Sequence, residues 1–263
     1  MKRSGRLIVQ SVQVTKLTAG TIDTMWDLYS DYYANVTRAD FERDLAEKNI
    51  VFVGRDGGSD EVVGFSTALF YMHRFRGRKV GVYFSGDTII HPSYWGQVAL
   101  HRTVLLHLLR WRLRHPSKPL YWYLICSGYR TYLTLVRNFP HHWPHHQRAT
   151  PEWETGLIDS ISRARYPNTW QSDLGVISLA DVQPILKPSV APFTPAILEL
   201  PEVKFFVQAN PGHLRGDELA MIAKVDIAAV RQVLGRTRRR RHRRHRRHRP
   251  AVRRTSQPDL SAS

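Results

Sequence analysis

The 263 residues include 42% hydrophobic side chains and one cysteine, Cys126. That is enough apolar content for a full core and too few thiols for an intrachain disulfide, which fits a reducing cytoplasm. The net charge of +17 divides unevenly: residues 236–254 (RTRRRRHRRHRRHRPAVRR) hold twelve Arg and no acid, leaving 27 basic against 22 acidic residues elsewhere. No apolar run approaches a membrane span, and MKRSGRLIVQSVQV has no sustained apolar segment of the signal-peptide kind, so neither feature is expected.

In chain order, residues 7–17 alternate as a first strand. Thr21 is placed as the cap of a helix running through Tyr33, and Thr37 or Arg38 opens a second, RADFERDLAEK. NIVFV (Asn49 to Val53) reads as a strand, GRDGGSDE as a turn, and EVVGFSTALFYM, reaching His73, as the next strand. FRGRK turns the chain into KVGVYFSGDTIIHP, a long strand closed by Pro92, and PSYWGQ then leads into the helix VALHRTVLLHLLRWRLR, with Gly96 at its start. LYWYLIC (Leu120 to Cys126) is apolar on both faces. It is predicted to run parallel to the strand ending at Pro92, since a helix long enough for a crossover separates them. Ser127 caps GYRTYLTLVRNF, and Asn138 suits a left-handed position at its end. WPHHQRATPEWET reads as loop and GLIDSISRARY as helix.

The last third is proline-rich. LGVISL is a candidate strand and DVQPILKPSVAPFTPAILELPE an irregular connector. VKFFVQA and ELAMIAKV, around Asn-Pro-Gly, are predicted to form a closing hairpin, before a final helix, IAAVRQVL, capped by Asp226.

Two features of the middle carry chemistry. The amides at a helix start have no intrahelical partner, so the Gly96 junction either holds a phosphate or simply lets helix and strand pack closely. Asp87, inside an otherwise apolar strand, is either a base with a raised pKa or a bulge residue in Ser-Gly-Asp. His91 is a further candidate. The cluster HHWPHH (His141 to His146) offers imidazoles but no Cys and no regular ligand spacing. It is either a metal site or a loop lining an acceptor pocket under Trp143 and Trp153; no metal is expected.

Over residues 8–140 the order of elements and the junction IIHPSYWGQVALHRTVLLHLL resemble the acyl-coenzyme A core of the GNAT N-acetyltransferase superfamily. The resemblance implies an α/β fold, a mixed twisted sheet flanked by helices, as one domain over 1–235 with an elaborated part at 141–235. It also implies acetyl-CoA or another acyl-CoA as donor and a small amine or amino acid as acceptor. The pantetheine arm would lie between two splayed parallel strands ending near Ile90 and Cys126. Carried over position by position, Ile89, Ile90, Trp95, Gly96, Gln97, Val98, Ala99 and Ser127 would hold the donor. Trp95, Val98 and Leu100 stand where the family's phosphate loop has an Arg or Gln and two small residues. Thr134 stands where many relatives carry the Tyr that protonates the thiolate, which leaves Tyr132 and Tyr129 as candidates for that role.

The Arg-rich segment, within a tail (236–263) expected to be disordered, would adhere to any polyanion (RNA, DNA or an anionic membrane) or serve no dedicated purpose. The function classes are therefore an acyl-CoA-dependent N-acyltransferase, a non-catalytic GNAT-like binding domain, and a polyanion-adhesion module.

Overall fold

The computed structural model describes residues 5–178, 185–186, 194–226 and 228–229. The Arg-rich segment, and all of the expected last helix beyond Ala229, lie outside them. The chain opens with β1 (Leu7–Gln13), α1 (Ala19–Tyr32), the two-residue β2 (Tyr33–Ala34) and α2 (Arg38–Ala46). A meander follows: β3 (Ile50–Asp56), β4 (Val62–Phe75) and β5 (Arg78–Ile90). Then come α3 (Ala99–Arg114), β6 (Leu120–Cys126), α4 (Tyr129–Asn138), β7 (His142–Trp143) and α5 (Glu152–Arg165). Short pieces close the chain: β8 (Trp170–Gln171), β9 (Val176–Ile177), β10 (Ile185–Leu186), α6 (Pro195–Leu198), α7 (Pro201–Ala209) and β11 (Glu218–Lys224).

One twisted mixed sheet in the order β1-β3-β4-β5-β6-β11-β9-β8, with β7 on β11, divides the helices into two layers; β10 pairs with β2 apart from it. Because side chains alternate along a strand, β5 feeds both layers. Tyr83 joins the cluster under α3, α4 and α7, with Leu108, Leu135 and Phe206. Val80, Val82 and Phe84 face α5 through Leu157 and Ile161. Further along the same face, Ile89 packs with Met25, Phe41 and Phe65 of α1, α2 and β4. The β5–β6 pair is parallel, as its crossover helix requires.

Several local expectations give way to the structure. Thr18, not Thr21, caps α1: its backbone is extended and its hydroxyl accepts the Thr21 amide. Gly96 lies three residues ahead of α3, in a turn at φ +78°, where a residue without Cβ is unstrained. α4 is capped at Gly128 without a side-chain bond, so Ser127 stands one residue outside. Asn138 is the last helical residue rather than a left-handed one; its Nδ2 donates to the Thr134 carbonyl at 2.7 Å and Phe139 turns extended. α5 begins at Glu152 after Pro151, and His142–Trp143 forms a short strand, so the stretch read as loop is partly ordered.

The largest correction concerns VKFFVQA, which is the helix α7 rather than a strand. Pro201 sits at its first turn, where a missing N–H costs nothing. Val203 and Phe206 are fully buried while Lys204 and Gln208 face water, a three- to four-residue period. The predicted closing hairpin is therefore absent. β11 instead pairs antiparallel with β6, Leu219 opposite Cys126 through Lys224 opposite Tyr121. Asp226 does accept the Ala229 amide at 2.9 Å, as a cap would.

Phe206→Ala should lower the unfolding free energy by about 3–5 kcal/mol, the range for an emptied aromatic core site. Urea denaturation measures it. A loss below about 1 kcal/mol would mean that α7 does not close the core.

Candidate active site

The site is built by a mismatch in strand pairing. β4 and β5 are in register from Phe75–Arg78 to Ala68–Ser85, and again at Ser66–Thr88. Between these stretches one residue of β4, Thr67, faces two of β5, Gly86 and Asp87. This is a β-bulge, which bends its strand and re-aims a side chain. Gly86 is required there: a Cβ would stand 2.4 Å from the Thr67 hydroxyl. The bend takes β5 away from β6, whose last shared pair is Phe84–Tyr123. β6 runs on beside β11 instead. At the apex, Trp122 Nε1 donates to Ser85 Oγ at 2.8 Å.

A cavity of about 680 Å³ fills the opening and passes through the sheet, since residues of both layers line it. On the α3–α4 side the wall includes Leu100, Val104, Leu105, Leu108, Trp122 and Phe139, with His101 and Arg130 at the rim. On the other side stand Tyr29, Tyr33, Asp44, Lys48, Asp87, Tyr166 and Glu218.

The acids of this second side are unequal. Lys48 Nζ, whose side chain is wholly buried, reaches Asp44 Oδ1 at 2.6 Å and the Asp44 carbonyl at 3.1 Å, so that charge is balanced. Among the described residues no cation forms an ion pair with Asp87 or Glu218. Burial pushes Asp87 up to about 7; the Asp44 charge adds to this, and Lys48 and the residue's own amide oppose it. Burial, then the charges of Asp87 and Asp44, push Glu218 up to about 8. Tyr29 and Tyr33, stacked at 4.8 Å, are raised by burial and by Asp87, and so stay neutral phenols beside it.

Of the candidate site residues singled out in the sequence, Asp87 and Ser127 line the cavity, as do Leu100 and Thr134 at the family positions. Asp87 is a bulge residue and also a carboxyl of raised pKa. The others are placed elsewhere. Tyr132 is fully buried against Phe205 and Phe206, and its hydroxyl has no partner among the described residues. Tyr129 is buried in the same core, and Thr134 does stand on the cavity wall, its hydroxyl donating to the Arg130 carbonyl. His91 is exposed, its Nδ1 accepting the Ser93 amide. Ile89 is a core residue, and the Ile90 carbonyl accepts both Tyr32 Oη and Trp95 Nε1. Gln97 serves β1: its Nε2 donates to the Gly5 carbonyl and its Oε1 accepts the Leu7 amide.

Trp95 and Val98 are solvent-exposed, and the Arg130 guanidinium lies 5.3 Å from the Trp95 ring. Val98 caps α3 without a side-chain bond, and Ala99 follows as its first residue, so no side chain caps the helix start next to Gly96. The Cys126 thiol is buried and raised by burial, an inert core group.

The histidine cluster does not line the cavity, which corrects the acceptor-loop expectation. Trp143 is packed beneath α5, Trp153 against Phe75, and His141 Nδ1 meets Asp226 Oδ2 at 2.7 Å. Among the described residues no group of three or more His, Cys, Asp or Glu is arranged to hold a metal, and no helix is long and apolar enough to cross a membrane.

Sequence reasoning missed Glu218 and Lys48. Glu218 follows Asp217 just ahead of the apolar run LAMIA, and only the pairing of β11 with β6 brings it to the opening. Lys48 is a lone base before NIVFV.

No family model and no curated relative matches the chain. Solved structures do resemble it. A probable N-acyltransferase from Enterococcus faecalis has 16% identity over 50% of this chain and 32% of its own, with a TM-score of 0.38. A GCN5-related N-acetyltransferase from Kribbella flavida has 21% identity over 53% and 34%, TM-score 0.36. A Trypanosoma brucei acetyltransferase has 16% over 56% and 98%, TM-score 0.34. The chain thus spans about a third of the length of the first two. Likenesses this distant carry no chemistry. On the topology alone, a bulged strand that parts from its parallel neighbour, with a helix after each, the fold is the α/β arrangement that the GNAT resemblance implied.

Because Asp87 and Glu218 titrate well above their ordinary values of 3.8 and 4.5, the folded state holds extra protons between about pH 4 and pH 8. Unfolding free energy should therefore fall as pH rises through that window. Glu218→Gln should flatten the fall by removing one of the two raised groups. Urea denaturation from about pH 5 to pH 8 tests this, and parallel curves for wild type and variant would refute the raised Glu218 pKa.

Proposed function

We propose that the chain is an acyl-CoA-dependent N-acyltransferase for a small amine or amino-acid acceptor. The observation that carries this is the through-sheet cavity, with leucines, Trp122, Arg130 and Thr134 on its α3–α4 side and acids on the other, and a bulged strand edge between them. The donor enters from the α3–α4 side. Its phosphates would meet the uncapped start of α3 and Arg130, a positive rim of peptide dipoles and guanidinium. The β5 edge beyond Phe84, which β6 leaves, supplies amides for the pantetheine arm and the thioester oxygen.

The acceptor enters from the acidic side, drawn as a cation. A carboxyl with a pKa near the working pH is well matched to taking the amine proton, and we assign this role to Asp87 with Glu218 as its charge partner. The neutral amine attacks the thioester carbon; the C–N bond forms, the C–S bond breaks, and the proton the nitrogen still has to lose passes through water to the departing thiolate. No tyrosine acid is assigned, since Tyr132 and Tyr129 belong to the core.

A second reading, a domain that holds an acyl ligand without turning it over, is favoured by Val98 and Leu100 at the positions where the family has small residues, and by Thr134 in place of a tyrosine. Free-thiol release from acyl-CoA, with amino acids and aliphatic amines as acceptors, separates the two. Asp87→Asn should slow turnover about 100-fold or more at pH 7 while leaving coenzyme A binding intact. Unchanged turnover would remove Asp87 as the base, and a wild type that binds without turnover would establish the second reading.

A further inference from the structure

The acidic side of the cavity carries a charge pattern that selects among amines. Asp40 and Asp44 are exposed, and each is already matched by a cation, Arg43 and Lys48. Asp87 and Glu218 are half-buried, line the same cavity, and have no ion-pair partner among the described residues. Both project from one face of the sheet. Ile89, two residues past Asp87, packs with α1 and α2, and Ala220, two past Glu218, packs with α5. β6 lies between their strands, so their backbones are two strand spacings apart, roughly 10 Å. No hydrogen bond joins the two carboxyls among the described residues, so they are two acceptors and not one dyad sharing a proton.

A tyrosine stands beside each acid. Tyr29 is 7% exposed and lines the cavity, and its hydroxyl makes no hydrogen bond among the described residues. Burial raises it, and then the charges of Asp87, Asp44, Glu218 and Asp40, so its oxygen lies in the field of all four acids. A buried phenol oxygen without a partner calls for a donor from a guest. Tyr33 stacks on Tyr29 at 4.8 Å. Tyr166, raised by burial and then by Tyr123 and Glu218, lines the wall at the other acid. Aromatic faces beside paired acids suit a cation at either place. An amino acid fits poorly, because its carboxylate would meet four acids. Both cations that line this side are taken, and Arg165, beside Tyr166, pairs with Glu47 at 3.2 Å.

We propose that the acceptor is a linear aliphatic diamine, with its reacting nitrogen at Asp87 and the Tyr29 hydroxyl and its second ammonium at Glu218 beside Tyr166. This rests on the acyl-transfer reading and narrows its acceptor class. One nitrogen gives its proton to Asp87 and is acylated. The other stays charged throughout and fixes the chain's position by a charge-assisted hydrogen bond.

The test compares 1,4-diaminobutane, 1-aminobutane and 4-aminobutanoate, which share a four-carbon chain and end in an ammonium, a methyl and a carboxylate. It is run with the full chain at about pH 8.5, above the values of about 7 and about 8 to which the two carboxyls are pushed. Free-thiol release from acetyl-CoA should give the diamine a kcat/KM about tenfold or more above that of 1-aminobutane, with 4-aminobutanoate lowest. Calorimetric binding of each acceptor alone should follow the same order. Glu218→Gln should cut the diamine-to-monoamine ratio to about threefold or less; where that variant fails to fold, the wild-type series decides alone. Equal values for the diamine and 1-aminobutane, or a preference for 4-aminobutanoate, would overturn the diamine assignment and leave acyl transfer standing. Selective diamine binding without thiol release would leave the diamine site standing and overturn acyl transfer. Neither binding nor release with any of the three would overturn both.

Discussion

β5 cannot satisfy both of its neighbours, and the site follows from that. It must stay in register with β4, yet it carries one residue too many at Gly86–Asp87, so it bends. β6 is held on its far side by β11 through six consecutive pairs and does not follow the bend. The sheet opens between them at the place where a crossover helix begins on one side and a charged pocket lies on the other. Thr67 enforces the arrangement, since its hydroxyl occupies the space that any side chain at position 86 would need. A single inserted residue thus sets backbone geometry, cavity and carboxyl position together.

Electrostatics in the opening are governed by which acids have a cation. Asp44 is neutralised by Lys48, and Asp40 by Arg43 at the rim. Asp87 and Glu218 have no ion-pair partner among the described residues, and Tyr29, Tyr33 and Tyr166 stand in the same wall. Burial is the main reason each is raised; the Asp44 charge adds to both, and the Asp87 charge adds to Glu218.

Much of the core was legible because local pattern and tertiary role agree. LYWYLIC reads as a strand buried on both faces, and β6 is that strand with those ends. Asp87 stood out because an acid in an apolar strand needs a reason. Where reading failed, the deciding interactions were distant in sequence. VKFFVQA has the composition of a strand, yet Pro201 and the burial of Val203 and Phe206 against α4 make it helical. Tyr132 stands two residues from the family position that Thr134 holds, and the packing of α7 claims it for the core. Gln97 looks like a loop ligand until its amide is found clamping β1. Glu218 was invisible because nothing local says which strand will lie beside β6.

The central claim is that the gap between β5 and β6 is a slot for a thioester arm reached from the start of α3. Amide hydrogen exchange with and without coenzyme A tests it most directly. The account predicts slowed exchange confined to Ser85–Thr88 on β5 and to the first turn of α3, Ala99–Arg102. Unchanged exchange in both segments at saturating coenzyme A, or protection appearing only elsewhere, would contradict it.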